Sequence, residues 1–238
     1  MPEPFLVLDN LSIKQGTCTI QEINAEFSRG DIVGIVGRSG SGKSTFFKAL
    51  VGQAKILKGD VHVYEESRMK DIRDYLGYSP QENSLYPYLT LEENITIFAQ
   101  LHGLKRSVRK KRMEMLLARL GLKKDAKKRI INLSGGMQKR ADLAVSLIHD
   151  PEIIILDEPF NGLDISLQKF IWDFLEELSE QGKLIIISSH FLPDLQKRCN
   201  TFALIEQGYF YNNESLKKYL SKNKEDTIES FLRRIFTK

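Results

Sequence analysis

The sequence holds little of what marks a secreted or membrane-spanning chain. Its two cysteines, Cys18 and Cys199, lie far apart with no metal-ligand spacing, so they build neither a disulfide framework nor a zinc module. Both are expected to be buried or inert thiols in a reducing compartment. No apolar run approaches the roughly 18 residues that cross a bilayer. The opening residues, Met1-Pro2-Glu3-Pro4-Phe5-Leu6-Val7-Leu8-Asp9, lack a basic leader and a long apolar stretch and do not read as a signal peptide. Internal repeats and low-complexity linkers are lacking too. Net charge is only +4 over 238 residues, too little to signal a polyanion partner by itself. Hydrophobic residues make up 42% and charged residues 28%, a balance that supports a buried core and excludes disorder.

What is present begins with Gly37-Arg38-Ser39-Gly40-Ser41-Gly42-Lys43-Ser44-Thr45. The mostly apolar stretch Asp31-Ile32-Val33-Gly34-Ile35-Val36 runs into it and a helical pattern from Phe46 follows, so the order is strand, glycine-rich turn, helix. This fits G-x-x-x-x-G-K-[ST] at every fixed position, in the context the motif requires. The glycines let successive N–H groups point into one concavity that holds phosphate oxygens. The helix beginning near Lys43 adds its positive end. Lys43 supplies a cation for the β- and γ-phosphates, and the Ser44 hydroxyl is placed to ligate Mg²⁺. The stretch reads as a nucleoside triphosphate site.

Around it, Phe5 to Phe27 alternates in two short runs with a turn near Gln15-Gly16, as an antiparallel pair of edge strands. A short strand is expected to begin at Gly59-Asp60, and Leu76 to Gln81 is expected to be a strand end followed by a loop, because Pro80 breaks any ladder. From about Thr90 to Leu120 the period is helical, with Gly103 and Gly121 ending the helices. Ser134 caps a further helix running to about His149. Ile153-Ile154-Ile155-Leu156 and Leu184-Ile185-Ile186-Ile187 read as strands covered on both faces, with a helix from Ile165 to Glu180 between them. Short strands at 201–206 and 209–211 precede two amphipathic helices over 214–236. The expected fold is an α/β P-loop NTPase core with a mixed sheet, an N-terminal antiparallel β-subdomain and an inserted α-helical subdomain. The whole chain, 1–238, forms one domain: core at 1–80 and 150–211, helical subdomain at 82–149, helical tail at 212–238.

Two further stretches carry chemistry. Asp157, at the carboxyl end of a buried strand, is where a Mg²⁺-holding carboxylate sits in such folds. Glu158 beside it can reach a water in line with the γ-phosphate and is the natural general base. Leu133-Ser134-Gly135-Gly136-Met137-Gln138-Lys139-Arg140 is a second glycine-bearing helix start, hence a second anion-binding device. One chain needs one phosphate loop for its own nucleotide; a second device makes sense if it serves a nucleotide held by another copy.

On these motifs the chain resembles the ATP-binding subunit of ABC (ATP-binding cassette) proteins, from the first strands to about residue 211. The resemblance implies that MgATP is bound and hydrolysed between two copies, a homodimer or heterodimer. Gln81 would touch the metal and the attacking water and sense a membrane partner. Ser134, Gly135 and Gly136 would close on the partner's ATP. Asn161-Gly162-Leu163-Asp164 would cross the dimer interface, and His190 would reach the γ-phosphate. A transmembrane permease on a separate chain would hold the protein at the cytoplasmic face, and no nucleic-acid partner is expected. The stretch Ser84 to Gly103, Met137 after the paired glycines, and Thr227 to Leu232 resemble the ATPases of ABC-2-type exporters. In the family an aromatic residue after the first strand stacks on adenine; here that place holds Gln15. The basic stretch Lys105 to Arg129 is expected to be a solvated face. Two other readings stay open: a soluble ABC ATPase acting on nucleic acid or the ribosome, and a mechanical signalling scaffold.

Overall fold

The structure, a computed structural model, describes residues 4–65, 68–189 and 192–222. Ten strands form one sheet. In chain order they are β1 (Leu6–Gln15), β2 (Cys18–Phe27), β3 (Ile32–Val36), β4 (Lys55–Glu65), β5 (Arg68–Lys70), β6 (Leu76–Ser79), β7 (Ile153–Asp157), β8 (Leu184–Ser188), β9 (Thr201–Glu206) and β10 (Tyr209–Tyr211). Their spatial order is β5-β4-β1-β2-β10-β9-β3-β8-β7-β6. The segment β6-β7-β8-β3-β9 is parallel throughout, whereas β1 pairs antiparallel with both β2 and β4. β1 and β2 are therefore interior strands, not the edge pair expected from the sequence. β4 also starts earlier than expected, because Gly59 sits inside it. A Cβ there would lie 2.4 Å from the carbonyl oxygens of Asp9 and Asn10. The β1–β4 register shifts between Asp9 and Ser12, so Gly59 is the residue that admits the bulge.

The helices are α1 (Lys43–Leu50), α2 (Leu91–Leu101), α3 (Arg106–Arg119), α4 (Gly135–Ser146), α5 (Ile165–Glu180), α6 (Leu192–Arg198) and α7 (Asn213–Lys222). Thr90 starts α2 with a capping box: Glu93 N–H donates to its hydroxyl, and its own N–H donates to the Glu93 carboxylate at 2.7 Å. Gly103 and Gly121 lie just past α2 and α3 with φ of 70° and 66°, the left-handed stop that glycine takes without strain. The helix at Ser134 is shorter than expected, ending at Ser146. Of the two helices expected in the tail, the first is α7; the remainder lies outside the described residues.

The apolar runs of β7 and β8 split between two cores. Ile154, Leu156, Ile185 and Ile187 pack toward α4 and α5 with Trp172 and Leu175. Ile153, Ile155, Leu184 and Ile186 pack on the opposite face with Phe46 and Phe47 of α1. Each fully buried Ile or Leu contributes roughly 1.5–3 kcal/mol relative to exposure, and a one-residue slip would exchange the two faces. The register is thus held from both sides, and with it the position of every loop at the carboxyl ends of these strands.

Candidate functional site

Parallel pairing brings the carboxyl ends of β3, β6, β7 and β8 to one edge of the sheet, where open α/β sheets bind ligands. Ser188 is opposite Asp157 on one side and Ile35 on the other, and Ser79 is opposite Leu156. The phosphate loop after β3 and the acidic pair after β7 thereby meet, although more than a hundred residues separate them in sequence.

The loop has steric reasons for its composition. A Cβ on Gly37 would fall 2.4 Å from the Ile205 carbonyl oxygen, so the chain passes β9 only as glycine. Gly42, at φ 111°, precedes α1 and offers no side-chain cap, which leaves the first-turn N–H groups facing outward. Lys43 is buried. Its Nζ donates to the carbonyl oxygens of Gly37 at 2.9 Å and Arg38 at 3.1 Å. Burial lowers its pKa, and the charges of Glu158 and Asp157 oppose that shift, so the ammonium sits within the field of both carboxylates. The Ser41 hydroxyl oxygen is buried without a hydrogen-bond partner among the described residues, an unmet donor in the concavity where phosphate oxygens belong.

Asp157 and Glu158 are each only 2% exposed. The Ser188 hydroxyl donates to Asp157 Oδ1 at 2.8 Å and accepts from the Glu158 N–H at 3.0 Å. Glu158 has φ of 52°, a left-handed conformation costing about 1–3 kcal/mol for a non-glycine residue. It sits directly before Pro159, which restricts the preceding residue further. The two buried cores and Ser188 hold this strain in place. Ser188, which was not among the expected site residues, is the residue that orients both acids.

Gln81 lies in the exposed loop after β6, and its backbone carbonyl accepts from Lys139 Nζ at 2.6 Å. Asn83 Nδ2 donates to Gln138 Oε1 at 3.1 Å. Beneath them Asp142 is 1% exposed. It accepts from the Ser84 N–H and hydroxyl, each at 3.0 Å, and from the Ser79 hydroxyl. Burial raises its pKa against these hydrogen bonds. Lys139 and Asp142 were not among the expected site residues. The only signal for Asp142 was an acid between Ala141 and Leu143 on an otherwise apolar stretch. Asp142→Ala strips the partners from the Ser79 hydroxyl and the Ser84 N–H. Urea denaturation is expected to show a loss of about 1–3 kcal/mol, with Asp142→Asn retaining most of it; equal losses in both would remove the hydrogen bonds as the cause.

Ser134 caps α4 by accepting from the Met137 N–H at 3.3 Å and is exposed. Gly136 has a local reason to be glycine, since a Cβ would lie 2.8 Å from Leu167 Cδ2. Gly135 has none: nothing lies within 4 Å of a Cβ built there. Among the described residues no hydrogen bond or ion pair joins 134–136 to 37–45. Asp164 is exposed and caps α5, its Oδ1 accepting from the Leu167 N–H at 2.9 Å and the Ser166 hydroxyl at 2.6 Å. These neighbours lower its pKa. His190, and the stretch 227–232, lie outside the described residues. Of the thiols, Cys199 is buried, with its pKa raised to about 12. Cys18 is half-buried, against Gly42.

Residues 20–161 match the ABC transporter family. The chain belongs to that family. It is an ATP-hydrolysing cassette, and its relatives place it with the ABC-2 exporter type. It is 30% identical to the ABC transporter ATP-binding protein NatA of Bacillus subtilis, across 91% of this chain and 90% of that one. It is 33% identical to the Nod factor export ATP-binding protein I of Paraburkholderia xenovorans, across 87% of this chain and 70% of that one. Among solved structures, a dimeric ATP-binding cassette in a post-hydrolysis state, bound to ADP and Pi, superposes with a TM-score of 0.75 at 26% identity, covering 87% of this chain and 98% of that one. No helix among the described residues is long and apolar enough to cross a membrane.

Proposed function

We propose that two cassettes sandwich two MgATP head to tail, and that hydrolysis opens the pair to drive export through a permease carried on a separate chain at the cytoplasmic face of the membrane. One observation carries the sandwich. Ser134 and Gly135 form an exposed, capped helix start, glycine at 135 meets no steric need in its own chain, and no hydrogen bond or ion pair ties 134–136 to their own phosphate loop. A second copy's nucleotide supplies the missing purpose. The core, 1–80 and 150–211, holds the nucleotide; residues 82–149 move the signature and present the coupling surface; 212–238 is a tail.

In this reading the N–H groups and hydroxyls of 37–45 wrap the triphosphate, and Lys43 neutralises its β- and γ-oxygens. Ser44, half-buried at the start of α1, and Asp157 fit Mg²⁺, which characteristically takes one or two carboxylates together with substrate phosphates. The metal would screen the charge that builds on the phosphates. Glu158 takes the proton of the attacking water. Gln81 orients that water, His190 reaches the γ-phosphate, and Asp164 belongs to the loop crossing the interface. Exporter relatives favour this reading over a soluble nucleic-acid or signalling role. The test is affinity capture of the tagged chain in mild detergent from its source cells. A multi-span membrane protein should co-purify; recovery with ribosomes or nucleic acid instead would overturn it.

Gln15 is the place where the family's adenine-stacking ring is missing. It ends β1 opposite Cys18, and Cys18 touches Gly42, so the hairpin tip lies beside the phosphate loop. Phe5 cannot substitute. It sits near the far end of β1, ten residues or roughly 33 Å of strand away, buried between Arg29 and Tyr75. Stacking on an aromatic is worth about 1–3 kcal/mol per base. Gln15→Tyr is therefore expected to tighten ATP binding up to roughly tenfold and leave the chemical step unchanged. Calorimetry with ATP and GTP checks it. Strong ATP preference in the wild type, unchanged in the variant, would show that another residue reads adenine.

A further inference from the structure

We infer that the basic face formed by α3 and the segment after it binds anionic phospholipid headgroups directly, without a protein intermediary. Residues 105–129 contain twelve Lys and Arg against two acids, Glu114 and Asp125, a balance of +10. The chain totals +4, so all other residues together sum to −6. Three of the twelve are neutralised: Arg112 by Asp150, Arg119 by Glu177 and Lys128 by Asp125. The other nine form no ion pair among the described residues.

A merely solvated helix face ordinarily mixes signs at i,i+4 spacing. In α3 only Lys110 and Glu114 do so, and the start of the helix does the reverse. Lys105 and Arg109, and Arg106 and Lys110, are like-charge neighbours at that spacing, each pair disfavouring the helix. The same bases crowd its first turn, which has no acid and no side-chain cap, against the positive end of the macrodipole. A polyanionic partner relieves both penalties together. Arg106, Arg109, Lys110 and Lys123 line one cleft of about 440 Å³, whose acids are Glu92 and Glu114.

The basic face continues into an amphipathic rim. Backbone hydrogen bonds from Leu91 N–H to the Lys128 carbonyl and from Ile131 N–H to the Pro87 carbonyl, with the Thr90–Arg129 bridge, set Lys128 and Arg129 beside the 86–90 loop. There Tyr88 is 72% exposed, and Tyr86 and Ile131 are exposed too. Tyrosine beside Lys and Arg is the composition that settles at a headgroup interface. Nucleic acid fits less well, because no aromatics are interleaved within 105–129 to stack on bases.

The proposal goes beyond coupling to a permease and is tested without one. The purified chain is sedimented with phosphatidylcholine vesicles, with and without 30% phosphatidylglycerol, at low and high salt. At least tenfold more chain should sediment with the anionic vesicles, and high salt should abolish the difference. Lys110→Glu combined with Lys123→Glu should remove the anionic preference while ATP hydrolysis stays at the wild-type rate. Lys110→Gln with Lys123→Gln, which adds no repulsion, should lower it severalfold. Equal binding to neutral vesicles, or a preference unmoved in both variants, would overturn the proposal. So would tight, salt-sensitive binding to RNA or DNA in a chain that ignores vesicles.

Discussion

Glu158→Gln is expected to lower ATP turnover by roughly 10²–10⁴-fold while ATP still binds. The substitution keeps the size of the side chain and removes its ability to take a proton. Glu158 is buried at the carboxyl end of β7 in a left-handed backbone conformation, with its N–H fixed by the Ser188 hydroxyl. None of these constraints depends on the side-chain charge, so the variant should fold and keep the phosphate loop intact. Its γ-phosphate then persists, and the chain should accumulate as an ATP-bound dimer. Phosphate release measures the first effect, and size-exclusion chromatography with ATP against ADP measures the second. Near-wild-type turnover would sink the assignment of Glu158 as the base. Slow turnover without an ATP-dependent dimer would leave the base in place and count against the sandwich.

Residues that act through local chemistry were legible in the sequence, and residues that act through distant pairing were not. The loop 37–45 announces itself because its glycines, lysine and hydroxyls are contiguous. The two apolar strands announce themselves because a run of isoleucines has no polar face to offer solvent. Nothing local says that β1 lies between β2 and β4, since the second pairing joins Leu6 to Val63. Gly59 looks like a strand start in sequence and is a bulge in space, because what it avoids is the backbone of residues 9 and 10. Helix α6 was missed: Pro193 falls in its first turn, where a missing N–H costs nothing. Asp142 was hidden for a related reason. Its partners Ser79 and Ser84 are about sixty residues away and reach it only when α4 packs on β6.

Lys43→Ala and Ser134→Arg should each abolish hydrolysis, by different routes that a binding measurement separates. Lys43 is buried in its own loop, and removing it strips the loop of a charged donor to phosphate. A hydrogen bond to a charged group is worth about 1.5–3 kcal/mol, so ATP binding to the isolated chain should weaken roughly 10- to 100-fold. Ser134 is exposed, and its side chain's hydrogen bond among the described residues is the cap from the Met137 N–H. Losing a serine cap costs about 1 kcal/mol, too little to unfold α4 against the core it packs on. Ser134→Arg should therefore bind ATP on its own almost as the wild type does, yet fail to dimerise, because a bulky cation blocks the backbone approach that Gly135 leaves open. The two inactive chains are complementary. In a mixed dimer the Ser134→Arg chain brings an intact Lys43, its partner brings an intact Ser134, and one composite site is whole. Mixing them should restore ATPase activity well above the sum of the separate chains, if one site can turn over alone. Equal loss of ATP binding by both variants would place Ser134 in the same site as Lys43 and remove the basis for the head-to-tail sandwich.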